Sequence, residues 1–242
     1  STNPLAWLRS VQPRRAIALL LLLLPLTVGA QTVRDLWLSM PPSLAPYLST
    51  SLRTQCLDFY DMHTDAQTDN ALKGKSRIDT LTSTFLAATL SKAHTLQMKL
   101  LPASGSGSAS ASGSASGLGS SMVSGSSSSL SSCDSVLCVV RSWDGPMRDS
   151  EVQLFDRQWK PLQAPLTFSA DSFVCRPDTM SEERFSRLVA MLDPIMFSVS
   201  LSPAENVLLV KLSPVVPNPE DEKAIEQILV QRKLKWDGKT FK

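Results

Sequence analysis

From Ala103 to Ser132 the chain runs thirty residues without a charge, sixteen of them serine and six glycine. Such a run holds too little apolar surface to offset the entropy of ordering it, so it is expected to be a flexible coil. Its ends should lie roughly 30 Å apart if unrestrained. The flanks constrain the fold more. Before the run, Leu96, Met98 and Leu100 alternate with Gln97 and Lys99; after it, Val136, Leu137, Cys138, Val139 and Val140 are continuously apolar. Both flanks read as strands. Because a longer loop adds little closure entropy, the run reads as an insertion in a loop between two strands of one domain. A linker between two domains is the alternative.

Charge removes several classes of function. The chain has 242 residues, 24 basic and 22 acidic side chains, and a formal charge of +2. Residues 1–30 contribute Arg9, Arg14 and Arg15 and no acid, so the remainder carries a formal charge of −1. That is no basic surface for nucleic acid. Two histidines and four cysteines argue against a dense zinc site. Outside the serine-rich run only four glycines remain, so a glycine-rich phosphate loop is missing. No Gly-x-Ser-x-Gly elbow occurs, and Ser106, between two glycines, sits in the coil where no nucleophile can be preorganised. About 180 residues can bury one good core or two small ones.

The amino-terminal segment reads as a secretory signal. Arg14 and Arg15 precede a 13-residue apolar run, Ala16–Val28, interrupted by Pro25. A bilayer core needs about 20 apolar residues in a helix, so this run is short for a transmembrane span. Val28, Gly29 and Ala30 supply small residues before a cut that leaves Gln31 first. No cysteine follows that cut to take a lipid, and without an initiating Met, Ser1 is not expected to be the true start.

Periodicity gives the remaining elements. Leu48, Leu52, Cys56 and Phe59 or Tyr60 predict a helix from about Ala45 to His63. Asp79–Leu90 predicts one strand, and Glu151–Phe155 another after the turn at Asp144-Gly145-Pro146. Thr179 and Glu182 form a capping-box pattern ahead of Phe185, Leu188, Val189 and Leu192, with Asp193-Pro194 ending that helix. Ile195–Leu201 and Val207–Leu212 read as strands. Asn218 should cap a last helix with Glu220, Asp221 and Glu222 in its first turn and Ile225, Ile228 and Leu229 on its apolar face. Lys233–Phe241 should close as a hairpin around Asp237-Gly238. Helices with hairpin-linked strands predict an α+β fold, mainly antiparallel, with helices packed on one face of the sheet. The expected organisation is a signal segment at 1–30, an α+β region at 31–165 and a second at 166–242. Two similar lobes and one continuous domain both remain open.

Certain stretches are familiar. Cys56-Leu57-Asp58-Phe59, Ile78-Asp79-x-Leu81-Thr82 before Phe85-Leu86, Gln97–Pro102 (QMKLLP), Val136–Val140 and Trp236–Phe241 (WDGKTF) resemble a secreted domain-of-unknown-function family of Bacteroidales-type bacteria, numbered thirty-two fifty-six. The resemblance covers most of residues 31–242. It excludes the serine-rich run, which looks like a departure from the family. QMKLLP is its most specific piece. The resemblance implies a secreted or envelope location and supplies no catalytic residues. In such bacteria it also implies O-glycosylation at Asp-Ser/Thr before an apolar residue, a pattern met by Asp79-Thr80-Leu81, Asp134-Ser135-Val136 and Asp178-Thr179-Met180.

Candidate chemistry is sparse. Asp58, Asp61, His63 and Asp65 form an acid/His cluster, and the three aspartates share one helix face. They can serve a general base or, less well, Ca²⁺, which takes 6–8 oxygens. The plainer reading is a solvated helix face. His94 near a strand junction is the second histidine, and nothing requires it to meet His63. Cys56, Cys133, Cys138 and Cys175 are an even set, suited to disulfides in an oxidising compartment. Cys133 and Cys138 would face opposite sides of one strand, while Cys56 and Cys138 look like core thiols. Trp143, Trp159 and Trp236 with Phe155 and Phe241 can line a carbohydrate or peptide groove, or simply fill the core. No residue is assigned as catalytic, metal-binding or cofactor-binding. The expected role is that of an exported binding protein of the periplasm or cell surface, with an envelope or extracellular protein or a glycan as partner, no nucleic acid, and no stable membrane span after processing. A hydrolase using residues 58–65 is the alternative.

Overall fold

The computed structural model describes residues 31–103, 135–215 and 218–242. The helices are α1 (Val33–Ser39), α2 (Thr50–Asp61), α3 (Glu182–Ala190) and α4 (Pro219–Ile228), with a short 3-10 turn at Ala170–Phe173. Strands β1 (Thr68–Asp69), β2 (Lys75–Leu81), β3 (Phe85–Ser91), β4 (His94–Pro102), β5 (Ser135–Asp144) and β6 (Arg148–Phe155) form one antiparallel sheet in chain order. Strands β7 (Phe197–Leu201), β8 (Val207–Leu212) and β9 (Arg232–Lys235) form a second. The α+β class and the antiparallel pairing are as the sequence predicts; where two similar lobes and one continuous domain were both open, the two sheets build two unequal lobes. Thr32–Lys242 form one compact unit. The serine-rich run and the predicted signal segment lie outside the described residues.

The strands β4 and β5 that flank the serine-rich run are direct neighbours, paired continuously from His94 and Trp143 to Pro102 and Ser135. Residues 135–140 of β5 are all buried, because both faces of the sheet are covered. Successive side chains of a strand point to opposite faces. Leu96, Met98, Leu137 and Val139 enter a core with Val33, Leu36 and Trp37 of α1 and Cys56 and Leu57 of α2. Leu101, Val136, Cys138 and Val140 enter a second core with Val199, Leu201, Leu208 and Val210 of the small sheet, Leu188 of α3 and Ile225 and Ile228 of α4.

Polar side chains tie the lobes together. The backbone N–H of Leu201 donates to Gln97 Oε1 at 2.8 Å, that of Val199 to Ser150 Oγ at 3.1 Å, and that of Arg148 to Ser213 Oγ at 3.0 Å. Lys99, 2% exposed, donates its ammonium to the carbonyls of Ser202, Pro203 and Glu205 at 2.6, 3.0 and 2.7 Å. Burial holds its pKa below the usual lysine value. Trp236 Nε1 donates to Pro102 O at 2.7 Å, so the two most recognisable stretches of the sequence meet.

Several elements differ from expectation. Helix α1 was not anticipated; its capping box joins Thr32 and Asp35. The helix expected from Ala45 begins at Thr50, because Ser49 Oγ caps Leu52 N–H and residues before it form single turns closed at Leu44 and Leu48. The single strand expected over Asp79–Leu90 is two strands of a hairpin, since the Thr82 hydroxyl accepts the N–H groups of Thr84 and Phe85 and turns the chain. Thr179 is not a helix cap; Ser181 is, with its hydroxyl accepting Arg184 N–H. Asn218 caps α4 as predicted. The terminal hairpin also forms: Trp236 pairs with Phe241, Gly238 takes φ 98°, and Asp237 Oδ1 accepts the N–H groups of Lys239 and Thr240.

Replacing Lys99 with Met leaves three carbonyls without their donor and should lower unfolding free energy by about 1–3 kcal/mol. Lys75→Met, which removes only an exposed pair with Asp69, should change it by no more than about 0.5 kcal/mol. Equal urea midpoints for the two variants would refute the clamp.

Candidate functional site

The acid/His cluster lies at the carboxyl end of α2, and the fold takes it apart. Arg34 of α1 grips Asp61 through both terminal nitrogens, at 2.7 and 2.6 Å. That bond holds the Asp61 carboxyl below the usual range. His63 adopts φ 51°, the left-handed position beyond the helix end. Its N–H donates to Tyr60 O and that of Thr64 to Phe59 O, the 5→2 and 6→1 bonds of a Schellman cap. Asp58 is exposed on the helix, and its carbonyl accepts Met62 N–H. The expectation of one shared aspartate face is therefore corrected: Asp61 faces α1, whereas His63 and Asp65 have left the helix. No group of three acid, His or Cys side chains suited to a metal occurs among the described residues.

What the fold does assemble there is a groove of about 370 Å³. One wall is the edge of β2 at Arg77, Ile78 and Asp79; the facing wall is His63, Thr64, Asp65 and Ala66; Cys56, Phe59 and Tyr60 of α2 lie between. Two of the sequence candidates, His63 and Asp65, border it. Arg77 Nε donates to Asp79 Oδ1 at 2.7 Å, and Thr89 Oγ1 donates to Asp79 Oδ2 at 2.7 Å. Asp79 is thus occupied, while the terminal nitrogens of Arg77 bond no other described residue and its side chain is 54% exposed. The groove presents a fixed guanidinium, a free carboxylate at Asp65 and an imidazole within one small opening. Sequence reasoning missed Arg77, whose only signal was its place two residues before Asp79, on the same face of a strand.

His94 does not border this groove. Its ring stacks on Trp143 at 5.2 Å and 10°, bonds the Tyr47 hydroxyl through Nδ1, and leaves Nε2 buried without a partner. Burial, with Arg141 nearby, pushes its pKa down to about 4. Burial pushes Tyr47 up to about 12. Arg141 sits 5.3 Å from the Trp143 ring centre and pairs with Glu151 at 2.7 Å.

The aromatic residues do not form one groove. Trp159 and Phe155 pack edge-on at 5.4 Å in the first core, Trp236 and Phe241 pack at 5.1 Å beside the second, and only Trp143 is substantially exposed. Cys56 and Cys138 are buried free thiols and Cys175 an exposed one; burial raises the pKa of both buried thiols. Cys133, Ser106 and Asp134 lie outside the described residues. Thr80 lies on β2 and Thr179 on an exposed turn.

The fold and groove define an α+β protein of two antiparallel sheets with a small polar cleft at one sheet edge. The chain belongs to the DUF3256 family of proteins of unknown function, whose model matches residues 25–110 and 126–241. In structure it is similar to a domain of an uncharacterized protein from Porphyromonas gingivalis W83, with a TM-score of 0.59 and 21% identity, over 87% of this chain and 98% of that one. Comparison with curated proteins gives no match. No helix among the described residues is long and apolar enough to cross a membrane.

Two measurements check this account. Between pH 6.5 and 4 the unfolded chain binds a proton at His94 that the folded chain refuses, so stability present above pH 6.5 should fall as pH drops through that window, by up to about 1.4 kcal/mol per unit. The His94→Phe variant should lack this component in urea titrations. His63→Gly relieves a left-handed backbone and should leave stability equal or raise it by up to about 1 kcal/mol; a loss of melting temperature would contradict the capping role.

Proposed function

We propose that the chain is an exported, non-enzymatic binding protein of the periplasm or cell surface. The groove between α2 and the β2 edge carries this reading. Its walls are a capped helix end and a sheet strand, so its shape is fixed before a partner arrives, and it offers charges of both signs. Export is supported by the sequence: two arginines, the apolar run Ala16–Val28 and small residues before Gln31. The partner is an envelope or extracellular protein or a glycan.

A hydrolase is the second reading, favoured by His63 and Asp65 bordering the same opening. Its signature would be a measured hydrolysis lost in His63→Ala or Asp65→Asn while the fold is kept.

Cross-linking in intact producing cells, followed by purification and mass spectrometry, tests the first reading. The expected result is a protein beginning at Gln31 with a stoichiometric partner attached. A processed chain with nothing bound, or one retained uncleaved inside the cell, would overturn it.

A further inference from the structure

We infer that the groove binds a short extended segment of a partner polypeptide, added as a strand to the edge of β2. This rests on the binding reading above and names the ligand class.

The evidence is a gap in a sheet edge. Strand β1 pairs with β2 only at Thr68–Ser76 and Asp69–Lys75. Strand β2 runs on to Leu81. There its edge is closed again, since Leu81 N–H donates to the Tyr60 hydroxyl at 3.1 Å and that hydroxyl donates back to Leu81 O at 3.5 Å. Between these closures no described group outside β3 bonds the backbone of Arg77, Ile78, Asp79 or Thr80. An unpaired edge is a template for another strand. The opening spans four positions, about 13 Å of strand.

The chain does not fill the gap itself. Continuing β1 backward in register would set Gln67 opposite Arg77, Ala66 opposite Ile78 and Asp65 opposite Asp79. Two carboxylates facing each other across a ladder repel, and Asp65 and Ala66 instead line the groove beside that edge.

Charge selects the occupant. In an antiparallel strand continuing the direction of β1, a residue opposite Ile78 points to the helix side, towards Cys56 and Phe59, and should be apolar. The next residue faces Arg77, whose terminal nitrogens are unbonded, and should be acidic. The preceding one faces Asp79 and should be basic. A second copy of this chain carries matching charges on its own β2, but it also carries its own wall of residues 64–66, which bars two whole sheets from meeting.

The probe is a fluorescently labelled peptide, acetyl-Thr-Thr-Lys-Val-Glu-Thr-Thr-amide, titrated into the full processed chain and read by anisotropy. The control exchanges its Lys and Glu. The Lys-Val-Glu order should bind saturably below about 1 mM and at least about tenfold more tightly than the reversed order. Arg77→Glu should invert the preference. Asp65→Lys should let β1 zip onto β2 and abolish binding of both peptides while the melting temperature holds or rises. Equal affinity for the two orders, no saturable binding of either, indifference to Arg77→Glu, or a dimer through β2 in sedimentation would overturn strand addition. A cross-linked cellular partner that survives Asp65→Lys would place recognition elsewhere and leave the broader binding reading standing; absence of any partner would remove that reading itself.

Discussion

A single ammonium group does more than any other contact to decide how the two sheets sit together. Lys99 emerges from the middle of β4, opposite the fully buried Cys138, and ends among three carbonyls of the turn between β7 and β8. A buried charge is tolerated only where its donors are satisfied. Three carbonyls match the three hydrogens of an ammonium. Its position therefore dictates where the turn lies, and β7 follows. Gln97 and Ser150 then take the outward N–H groups of Leu201 and Val199, so this stretch of the small sheet's edge is capped by side chains of the large one instead of by another strand. Apolar burial drives the lobes together, but it is non-directional; these polar contacts fix the register.

That arrangement accounts for the most recognisable part of the sequence. In QMKLLP, Gln97 and Lys99 hold the small sheet, Met98 enters the first core, Leu101 the second, and the Pro102 carbonyl takes the indole N–H of Trp236. This stretch, on which the resemblance most rests, is a fastening between lobes, which is why it supplied no catalytic hint. The same holds at the terminal hairpin, where Asp237 binds two backbone N–H groups and Lys242.

The sequence was most legible where one local rule acted alone. Strands β4, β5 and β8 are strongly apolar and appeared where expected, as did α4 behind Asn218. Legibility failed where competing signals were equal or partners were distant. The turn at Thr82-Ser83-Thr84 contains no Gly, Pro, Asn or Asp; the Thr82 hydroxyl and the bond from Thr82 N–H to Phe85 O make it. Thr179 has an acid, Glu182, at capping-box spacing, whereas the residue three beyond Ser181 is Arg184; the turn closed by Met180 N–H on Pro177 O nonetheless delays the helix to Ser181. The acid/His cluster looked unified because Arg34, which removes Asp61 from it, lies on a helix that periodicity did not reveal. The groove itself depends on where a two-residue strand stops, a length at which no pattern exists to be read.

The position of the serine-rich run has a topological consequence. Pro102 and Ser135 face each other across the β4–β5 ladder, so their Cα atoms lie about 4.5–5.5 Å apart. The fold therefore receives the run at a single point. Cutting the chain there would yield two fragments, each holding one of the two central strands and neither holding a complete core. Their reassociation would rebuild both cores at once, which makes this junction a natural point for splitting the protein into complementing halves.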